Sequence, residues 1–418
     1  MTKEFRSVQG FNDILSPEIA KFQHIESVAR RCFGLFNFRE VRTPVLEQAG
    51  LFERSIGTST DIVEKEMYTF EDKGGERLSL RPEGTAPVAR TYIEHNIDKQ
   101  DALQRWFYIG PMFRHERPQR GRLRQFHQAG VEIFGTDDPF ADVETILLAD
   151  TIISSLAVRD VTARLNSIGC PVCRPAYLKE LRSYLGSVRE RLCEDCRKRA
   201  DTNPMRVLDC KKEGCLEATA SAPRTTDHLC NDCSGHLSGL RSGLDALKIP
   251  YTIDTRLVRG LDYYSRTVFE FAPARDTRAQ NAIVAGGRYD YLVELLGGPH
   301  TPAIGFAMGI ERMAALIDTP VQRGPAVFFV PLSSESRVKA VRLAGVLRHT
   351  GRTCEIGYGE KTIKSMLRRA DRLGADLVII IGEEELRDGF VTLKRMSDGT
   401  QERVNDADLP DAVGRMKS

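Results

Sequence analysis

The sequence predicts an α+β core containing an antiparallel strand pair, interrupted by a Cys-rich helical insertion and followed by a small α/β domain. Three observations carry this. Two strand-like runs, ALQRWFYIGPMFRHE and FHQAGVEIFG, flank a polar, Gly-containing loop, as the arms of a hairpin do. Eight of the ten cysteines fall between Cys170 and Cys233, where helical pieces alternate with Cys pairs. Beyond QRGPA, a linker at 322–326, the pattern changes to regular strand–helix alternation, which implies parallel strands joined by right-handed crossovers.

In chain order, residues 17–36 read as a helix, because Ile19, Phe22, Ile25, Ala29, Cys32 and Phe36 recur three or four apart as one apolar stripe. FREVRTPVLEQ is a short extended run; Pro44 cannot donate to a ladder and belongs at a strand edge or end. A strand over Leu78–Leu80 and a helix over Ala86–His95 precede the hairpin. The hairpin loop is basic: positions 114–124 hold five arginines against one acid, Glu116. A helix follows over 139–157. Within the insertion, Tyr177–Leu185, Val188–Leu192 and Leu237–Leu247 are helical. IPYTIDTRLVRGLDYYSRTVFEFAP returns to strand character, AGGRYD and LLGGPHTP read as glycine-rich turns, and AIGFAMGIERMAALI as a strand entering a helix. After the linker come AVFFVPL, TCEIGY, DLVIIIG and GFVTLKRM as strands, with SESRVKAVRLAGVLRHTG and TIKSMLRRADRLGA as helices.

Composition sets the outer bounds. Apolar residues make up 41% and charged residues 28% of 418 positions, which excludes a disordered or collagenous chain. Sixty basic against 58 acidic residues leave a net charge of +2, so the surface is not basic throughout, although a local patch can still bind nucleic acid. No apolar run approaches the roughly 18 residues of a membrane span, and the N-terminus has no apolar signal core. The expectation is a cytoplasmic protein with no membrane partner. Neither a GxxxxGK[ST] loop nor a GxGxxG helix start is present.

Two segments have the chemistry of a nucleotide site. One is the arginine-rich hairpin beginning Phe113-Arg114-His115-Glu116; the other is Gly305-Phe306-Ala307-Met308-Gly309-Ile310-Glu311-Arg312. The planar guanidinium matches phosphate oxygens and keeps its charge, and glycines let a backbone approach a ligand closely. Each segment alone is weak: loop arginines are usually solvated, and spaced glycines often serve packing. In this order, with the helix–strand–Pro44 run, they resemble the three signature motifs of class II aminoacyl-tRNA synthetases. Ala307 stands where that family usually has a further glycine. Leu257-Val258-Arg259-Gly260-Leu261-Asp262-Tyr263-Tyr264 and Ala285-Gly286-Gly287-Arg288-Tyr289-Asp290 resemble the two histidine-specific motifs of the histidyl-tRNA synthetase family, as do Leu80-Arg81-Pro82-Glu83-Gly84-Thr85 and Arg124 to Glu132. The resemblance covers essentially the whole chain.

The resemblance implies a mixed, mainly antiparallel sheet of the class II synthetase fold. It implies catalytic core at 1–166 and 251–321, the insertion at 167–250 and an anticodon-binding domain at 326–418. It implies activation of L-histidine with ATP, then transfer to the 3′ end of tRNA(His). Arg114 should contact the α-phosphate, Arg312 the γ-phosphate, and Arg259 both the histidine carboxylate and the α-phosphate. Glu116, Phe126 and Glu311 complete the ATP site, and Mg²⁺ offsets phosphate charge. Glu83, Thr85 and Gln128 are implied for the α-ammonium group, Glu132 and Tyr264 for the imidazole, with Tyr289 near the ring. Arg117, Gln119 and Arg120 are implied for the tRNA acceptor end, and motif one for a homodimer. The basic row Lys364, Arg368, Arg369 and Arg372 can meet RNA phosphates, although such a row is by itself an ordinary solvated helix face.

The cysteines form four pairs: Cys170/Cys173, Cys193/Cys196, Cys210/Cys215 and Cys230/Cys233. Two or four intervening residues suit zinc, because the turn points both thiolates at one ion. Eight thiols fit two structural zinc sites, and the pairs can combine in three ways, with His228 and His236 as possible substitutes. Metal binding is not general in the family. The rival function is a non-catalytic paralogue that binds histidine as the regulatory subunit of ATP phosphoribosyltransferase. That paralogue typically lacks the anticodon domain and has eroded histidine motifs.

Overall fold

The computed structural model describes residues 5–58, 60–116, 123–273, 282–318, 326–359 and 362–416. The chain forms two compact units, 1–320 and 321–418.

The strands of the first unit are β1 (Arg39–Glu40), β2 (Leu46–Gln48), β3 (Tyr68–Glu71), β4 (Arg77–Leu80), β5 (Gln104–Phe113), β6 (Gln125–Phe134), β7 (Val161–Ser167), β8 (Tyr251–Ile253), β9 (Ser265–Pro273), β10 (Val284–Arg288) and β11 (Ala303–Gly309). Eight of them make the main sheet, in the order β1-β5-β6-β11-β10-β9-β7-β8. The inner pairings are antiparallel, and the outer pairs β1/β5 and β7/β8 are parallel. β2, β4 and β3 form a separate antiparallel sheet.

One face of the main sheet is closed by α1 (Glu18–Leu35) and a second helix, Pro139–Ser155. Phe22, Ile25 and Phe33 of the first and Ile146 and Ile152 of the second pack with Val131, Phe269 and Phe306 of the strands. The second helix starts at Asp138, whose carboxylate accepts the Phe140 N–H at 2.9 Å, with Pro139 in the first turn, where its missing N–H costs nothing. The opposite face carries aromatic side chains. Tyr92, Tyr108, Phe134, Tyr264 and Tyr289 share one core with Tyr177, Leu181 and Leu185 of the insertion.

Three expectations change. AGGRYD is a strand rather than a turn, because its glycines pass close to neighbouring strands: a Cβ on Gly286 would strike the Gly305 carbonyl and lie 2.7 Å from the Phe306 Cβ. Residues 254–264 leave the ladder as a loop, and strand pairing resumes at Ser265. Val188–Leu192 is a single 3₁₀ turn at Arg189–Arg191, and helix returns at Glu194–Thr202. The expected strand at Leu78–Leu80 and the extended run before it form β4 and β2 of the small sheet, whereas β3 and the helix Ala49–Ile56 have no counterpart in the sequence analysis.

In the second unit, β12 (Val327–Pro331), β13 (Cys354–Ile356), β14 (Leu377–Ile381), β15 (Phe390–Arg395) and β16 (Gln401–Asn405) form a sheet ordered β13-β12-β14-β15-β16. The first three run parallel as expected; β15 and β16 add antiparallel. The crossover helices are Ser334–His349 and Ile363–Arg372. The linker residues 322–325 lie outside the described residues.

Candidate active site

On the aromatic face of the main sheet a cavity of about 180 Å³ is lined by Glu83, Thr85, Gln128, Tyr264 and Tyr289 among others. It adjoins a larger cleft of about 480 Å³, and Arg114, Glu116, Arg259 and Arg312 line both. Register explains how large side chains fit at and behind the cavity wall. Tyr108 is paired with Gly130, and Glu132 with Gly305. A Cβ on Gly130 would strike the Tyr108 ring, as would one on Gly84, and a Cβ on Gly305 would strike the Glu132 carboxylate and the Val131 carbonyl. The glycines therefore let Tyr108 and Glu132 lie flat across neighbouring strands. Gly305→Ala is expected to destabilise the fold by about 1–3 kcal/mol, the usual cost of forcing extra atoms into a well-packed site. An unchanged midpoint in chemical denaturation would contradict this arrangement.

Glu132 is the buried acid of the pocket. Its Oε1 accepts the Thr85 hydroxyl at 2.7 Å and its Oε2 accepts the Tyr289 hydroxyl. Burial pushes its carboxyl up to about 8, against the pull of these two hydroxyls. Glu83 serves twice. It accepts the N–H groups of Thr85 (2.7 Å) and Ala86 (2.8 Å) at the start of the helix Thr85–Glu94, and it lines the cavity. Burial raises its carboxyl above the usual range, while those N–H groups and Arg114 oppose the rise. Arg81 anchors this turn by donating to the carbonyls of Pro111 and Thr43, each at 3.0 Å. The Gln128 Oε1 is buried with no hydrogen-bond partner among the described residues, an acceptor available to an ammonium group.

The arginines sit at the mouth. Arg114 donates from Nε to the Pro82 carbonyl at 2.9 Å, lies over the Phe126 ring at 5.3 Å, and has Glu116 at 3.9 Å. Arg259, on the loop before β9, lies 5.8 Å from the Tyr264 ring centre and 3.7 Å from the Glu270 carboxylate. Arg312 donates to the Ala282 carbonyl at 2.7 Å. Glu311 accepts both the backbone N–H (2.9 Å) and the Nδ1 of His127, tying the end of β11 to β6. The structure thus brings together Glu83, Thr85, Gln128, Tyr264, Tyr289, Arg114, Glu116, Phe126, Arg259, Glu311 and Arg312 around the cavity, and Glu132 lies behind its wall, bonded to the lining residues Thr85 and Tyr289. Arg117, Gln119 and Arg120 lie outside the described residues.

Several supporting residues carry no role in the sequence analysis. Tyr108 and Tyr263 line the cavity, and Glu270 faces Arg259. Beneath Tyr289, the fully buried Arg288 donates to Asp142 (2.9 Å), Asp290 (3.0 Å) and the Thr136 carbonyl (2.8 Å). Asp142 also meets His236 Nε2 at 2.8 Å. Burial pushes the Asp142 carboxyl up, but Arg288 and His236 outweigh it and hold it below the usual range. Tyr263, Arg288 and Asp290 stand inside the two quoted motifs and so had a local signal; Tyr108, Glu270, Asp142 and His236 need strand register or long-range contact.

The histidines offered as substitute metal ligands are otherwise engaged: His236 with Asp142, and His228 with Glu180 at 3.3 Å. Among the described residues the cysteines gather as Cys170/Cys173/Cys230/Cys233 and Cys193/Cys196/Cys210/Cys215. In the second unit Lys364, Arg368, Arg369 and Arg372 are exposed on one helix, with Arg369 paired to Glu355 at 2.7 Å.

Comparison with known proteins follows this geometry. A family model described as "Histidyl-tRNA synthetase" matches residues 10–173 and 189–313, and one described as "Anticodon binding domain" matches 326–416. A histidine–tRNA ligase of Trichlorobacter lovleyi is 48% identical over 399 residues, 95% of each chain. One of Halothermothrix orenii is 47% identical over 418 residues, covering 99% of this chain and all of its own. The apo crystal structure of S. aureus histidyl-tRNA synthetase superposes with a TM-score of 0.81 at 35% identity, over 99% of this chain and 100% of that one.

Proposed function

The chain belongs to the histidyl-tRNA synthetase family, and from that premise we propose how its own residues carry the family's reaction. It is an aminoacyl-tRNA ligase that joins histidine to tRNA(His). The full-length ligases at 47–48% identity and the anticodon-binding domain weigh against the regulatory paralogue.

A pocket backed by the buried carboxyl of Glu132, behind Thr85 and Tyr289, opens between three arginines, and this single arrangement supports the mechanism. Histidine enters with its ring toward Glu132 and the hydroxyls of Tyr264 and Tyr289. Its ammonium group meets Glu83, Thr85 and Gln128. Its carboxylate then lies at the mouth, beside Arg259. ATP occupies the adjoining cleft, with Phe126 offering a ring face to the base and Arg114, Glu116, Glu311 and Arg312 around the phosphates. A carboxylate oxygen bonds the α-phosphorus, the bond to the β-phosphate oxygen breaks, and pyrophosphate leaves. The nucleophile is already ionised, so no general base is needed; positioning and charge stabilisation do the catalysis. Arg114 and Arg259 face the charge that builds on the α-phosphate, and Arg312 holds the leaving end. Glu116 and Glu311 supply the hard oxygen ligands that Mg²⁺ prefers, and the ion offsets phosphate charge when bound.

In the second step the 3′ hydroxyl of the tRNA attacks the activated carbonyl and AMP leaves. Arg117, Gln119 and Arg120 are assigned to the acceptor end, and the basic row of the second unit to RNA phosphates. The same reading includes a cytoplasmic homodimer, on the motif-one resemblance. Among the described residues no helix is long and apolar enough to cross a membrane. The cysteines bind structural rather than catalytic zinc, because a closed Cys₄ set leaves no open position.

ATP–pyrophosphate exchange with each of the twenty amino acids, in the absence of tRNA, tests this reading. Exchange should depend on histidine alone. The pocket's buried acceptors would be left unpaired by an analogue lacking ring nitrogens, a penalty that can reach about 10⁴–10⁵ in discrimination. Folded protein that exchanges with no amino acid would return the regulatory paralogue to first place.

A further inference from the structure

The insertion contains two sets of four cysteines, and the fold brings them together as the sequence could not. Cys170 and Cys173 precede the helix Arg174–Ser187, and Cys230 and Cys233 stand at the start of the helix Asn231–Ala246. Sγ separations of 3.8 Å link Cys170 to Cys173, Cys170 to Cys230, and Cys173 to Cys233. Cys193 and Cys196 lie at the start of Glu194–Thr202, with Cys210 and Cys215 opposite them; within each set all four sulfurs lie within 4.8 Å of one another. A tetrahedral zinc with Zn–S bonds of about 2.3 Å sets its sulfurs about 3.8 Å apart. Backbone N–H groups also point at sulfur: Cys170 N–H at Cys173 Sγ (3.3 Å) and Cys193 N–H at Cys215 Sγ (3.2 Å). Such donors favour thiolate over thiol and orient a metal ligand.

Both sets connect to the loop that carries Arg259 and Tyr264. Arg174, next to Cys173, donates to the carbonyls of Gly169 (3.1 Å) and Tyr264 (2.7 Å). Asn203, at the end of the helix that starts beside Cys193, donates to Asp262 at 2.9 Å. Arg256 donates to the carbonyls of Leu208 (3.0 Å) and Thr219 (3.1 Å), on either side of Cys210 and Cys215.

We propose that the insertion holds two nested zinc ions, an outer one on Cys170, Cys173, Cys230 and Cys233 and an inner one on Cys193, Cys196, Cys210 and Cys215, and that together they position the Arg259–Tyr264 loop. This deepens the structural-zinc reading by fixing which pairs share an ion and what the ions brace. The nesting places the outer site where the chain enters and leaves the insertion. The inner site closes its middle.

Metal counting on full-length protein, expressed with added zinc and purified without chelator, tests the assignment independently of ligase activity. Two zinc ions per chain are expected. Cys170→Ser combined with Cys230→Ser should remove one ion, as should Cys193→Ser with Cys210→Ser; Cys170→Ser with Cys193→Ser should remove both. Fewer than two ions in the unsubstituted protein overturns the proposal. So does loss of both ions from the Cys170→Ser/Cys230→Ser variant, the outcome that either of the other two pairings would give. Where a variant fails to fold, cobalt exchanged into the unsubstituted protein gives a second measurement: two equivalents should develop the visible bands of tetrahedral thiolate coordination, and their absence overturns the assignment. For the bracing role, chelated protein that keeps its circular dichroism should lose histidine-dependent exchange at least tenfold and regain it on adding zinc. Metal-free, folded and fully active protein overturns that role while leaving the ligase reading intact.

Discussion

Arg259→Ala is expected to cut histidine-dependent pyrophosphate exchange by about 10²–10³-fold, the usual loss when one preorganised donor to a developing oxyanion is removed, while tRNA affinity stays within about twofold. The reason is local. Arg259 lines both the cavity and the adjoining cleft, so its charge sits at the junction where the proposed mechanism brings carboxylate and α-phosphate together. Its closest acidic neighbour, Glu270, is 3.7 Å away, and its Nε is buried without a hydrogen-bond partner among the described residues. Removing the side chain therefore breaks no tight network, and folding should survive. Arg259→Lys keeps the charge but not the planar fork, and should recover only part of the rate. The loss belongs in kcat more than in the KM for ATP, because Arg114 and Arg312 still line the cleft. Equal losses in exchange and in tRNA binding would contradict the role.

Glu132→Gln is expected to lower kcat/KM for histidine by at least about 10²-fold, since removing one partner of a buried ionic contact costs about 3–5 kcal/mol. It should also change the pH dependence of binding. In the empty pocket burial moves this carboxyl from 4.5 to about 8. At pH 7 the site therefore holds a proton, while the ring of free histidine, at about 6.5, is mostly neutral. An imidazolium against a carboxylate also holds one proton, so binding between about 6.5 and 8 exchanges none. Below that window binding releases a proton and affinity falls as pH drops. Above it binding takes one up and affinity falls as pH rises. Calorimetry in buffers of different ionisation enthalpy reads this directly, and proton uptake at pH 7 would contradict it. Stability follows the same linkage. Between 4.5 and about 8 the folded protein holds a proton at Glu132 that the unfolded chain has lost. This contribution is fully present below 4.5 and is lost as pH rises through 8; the glutamine variant should lack that slope.

What the sequence disclosed depended on the range of the signal. The hairpin of β5 and β6 was legible because alternation and a polar loop are local features. The helix Glu18–Leu35 was legible because its stripe repeats every turn. AGGRYD was misread because glycines that usually mark turns here make room for a neighbouring carbonyl and side chain, a demand set by strands distant in sequence. The cysteines showed by spacing that metal was expected, yet four pairs can combine in three ways, and only the fold brings the first pair to the fourth. The residues that line the cavity were assigned by resemblance of motifs. The link that supports Tyr289 was not legible: Asp142 and Arg288 are 146 residues apart, and no local pattern joins them.

The aromatic core shared by pocket and insertion has a consequence for recombination among relatives. Tyr177, Leu181 and Leu185 of the insertion pack in one cluster with Tyr264 and Tyr289, and His236 contributes a ring nitrogen to the buried pair of Asp142 and Arg288. A chimera that exchanges residues 167–250 alone replaces Tyr177, Leu181, Leu185 and His236 together, so the incoming segment must match both the aromatic cluster of Tyr264 and Tyr289 and the buried Asp142–Arg288 pair. Crossovers that carry the facing residues of the pocket along with the insertion are the ones expected to yield active enzyme. The insertion and the aromatic face of the cavity are therefore one packing unit, although they lie far apart along the chain.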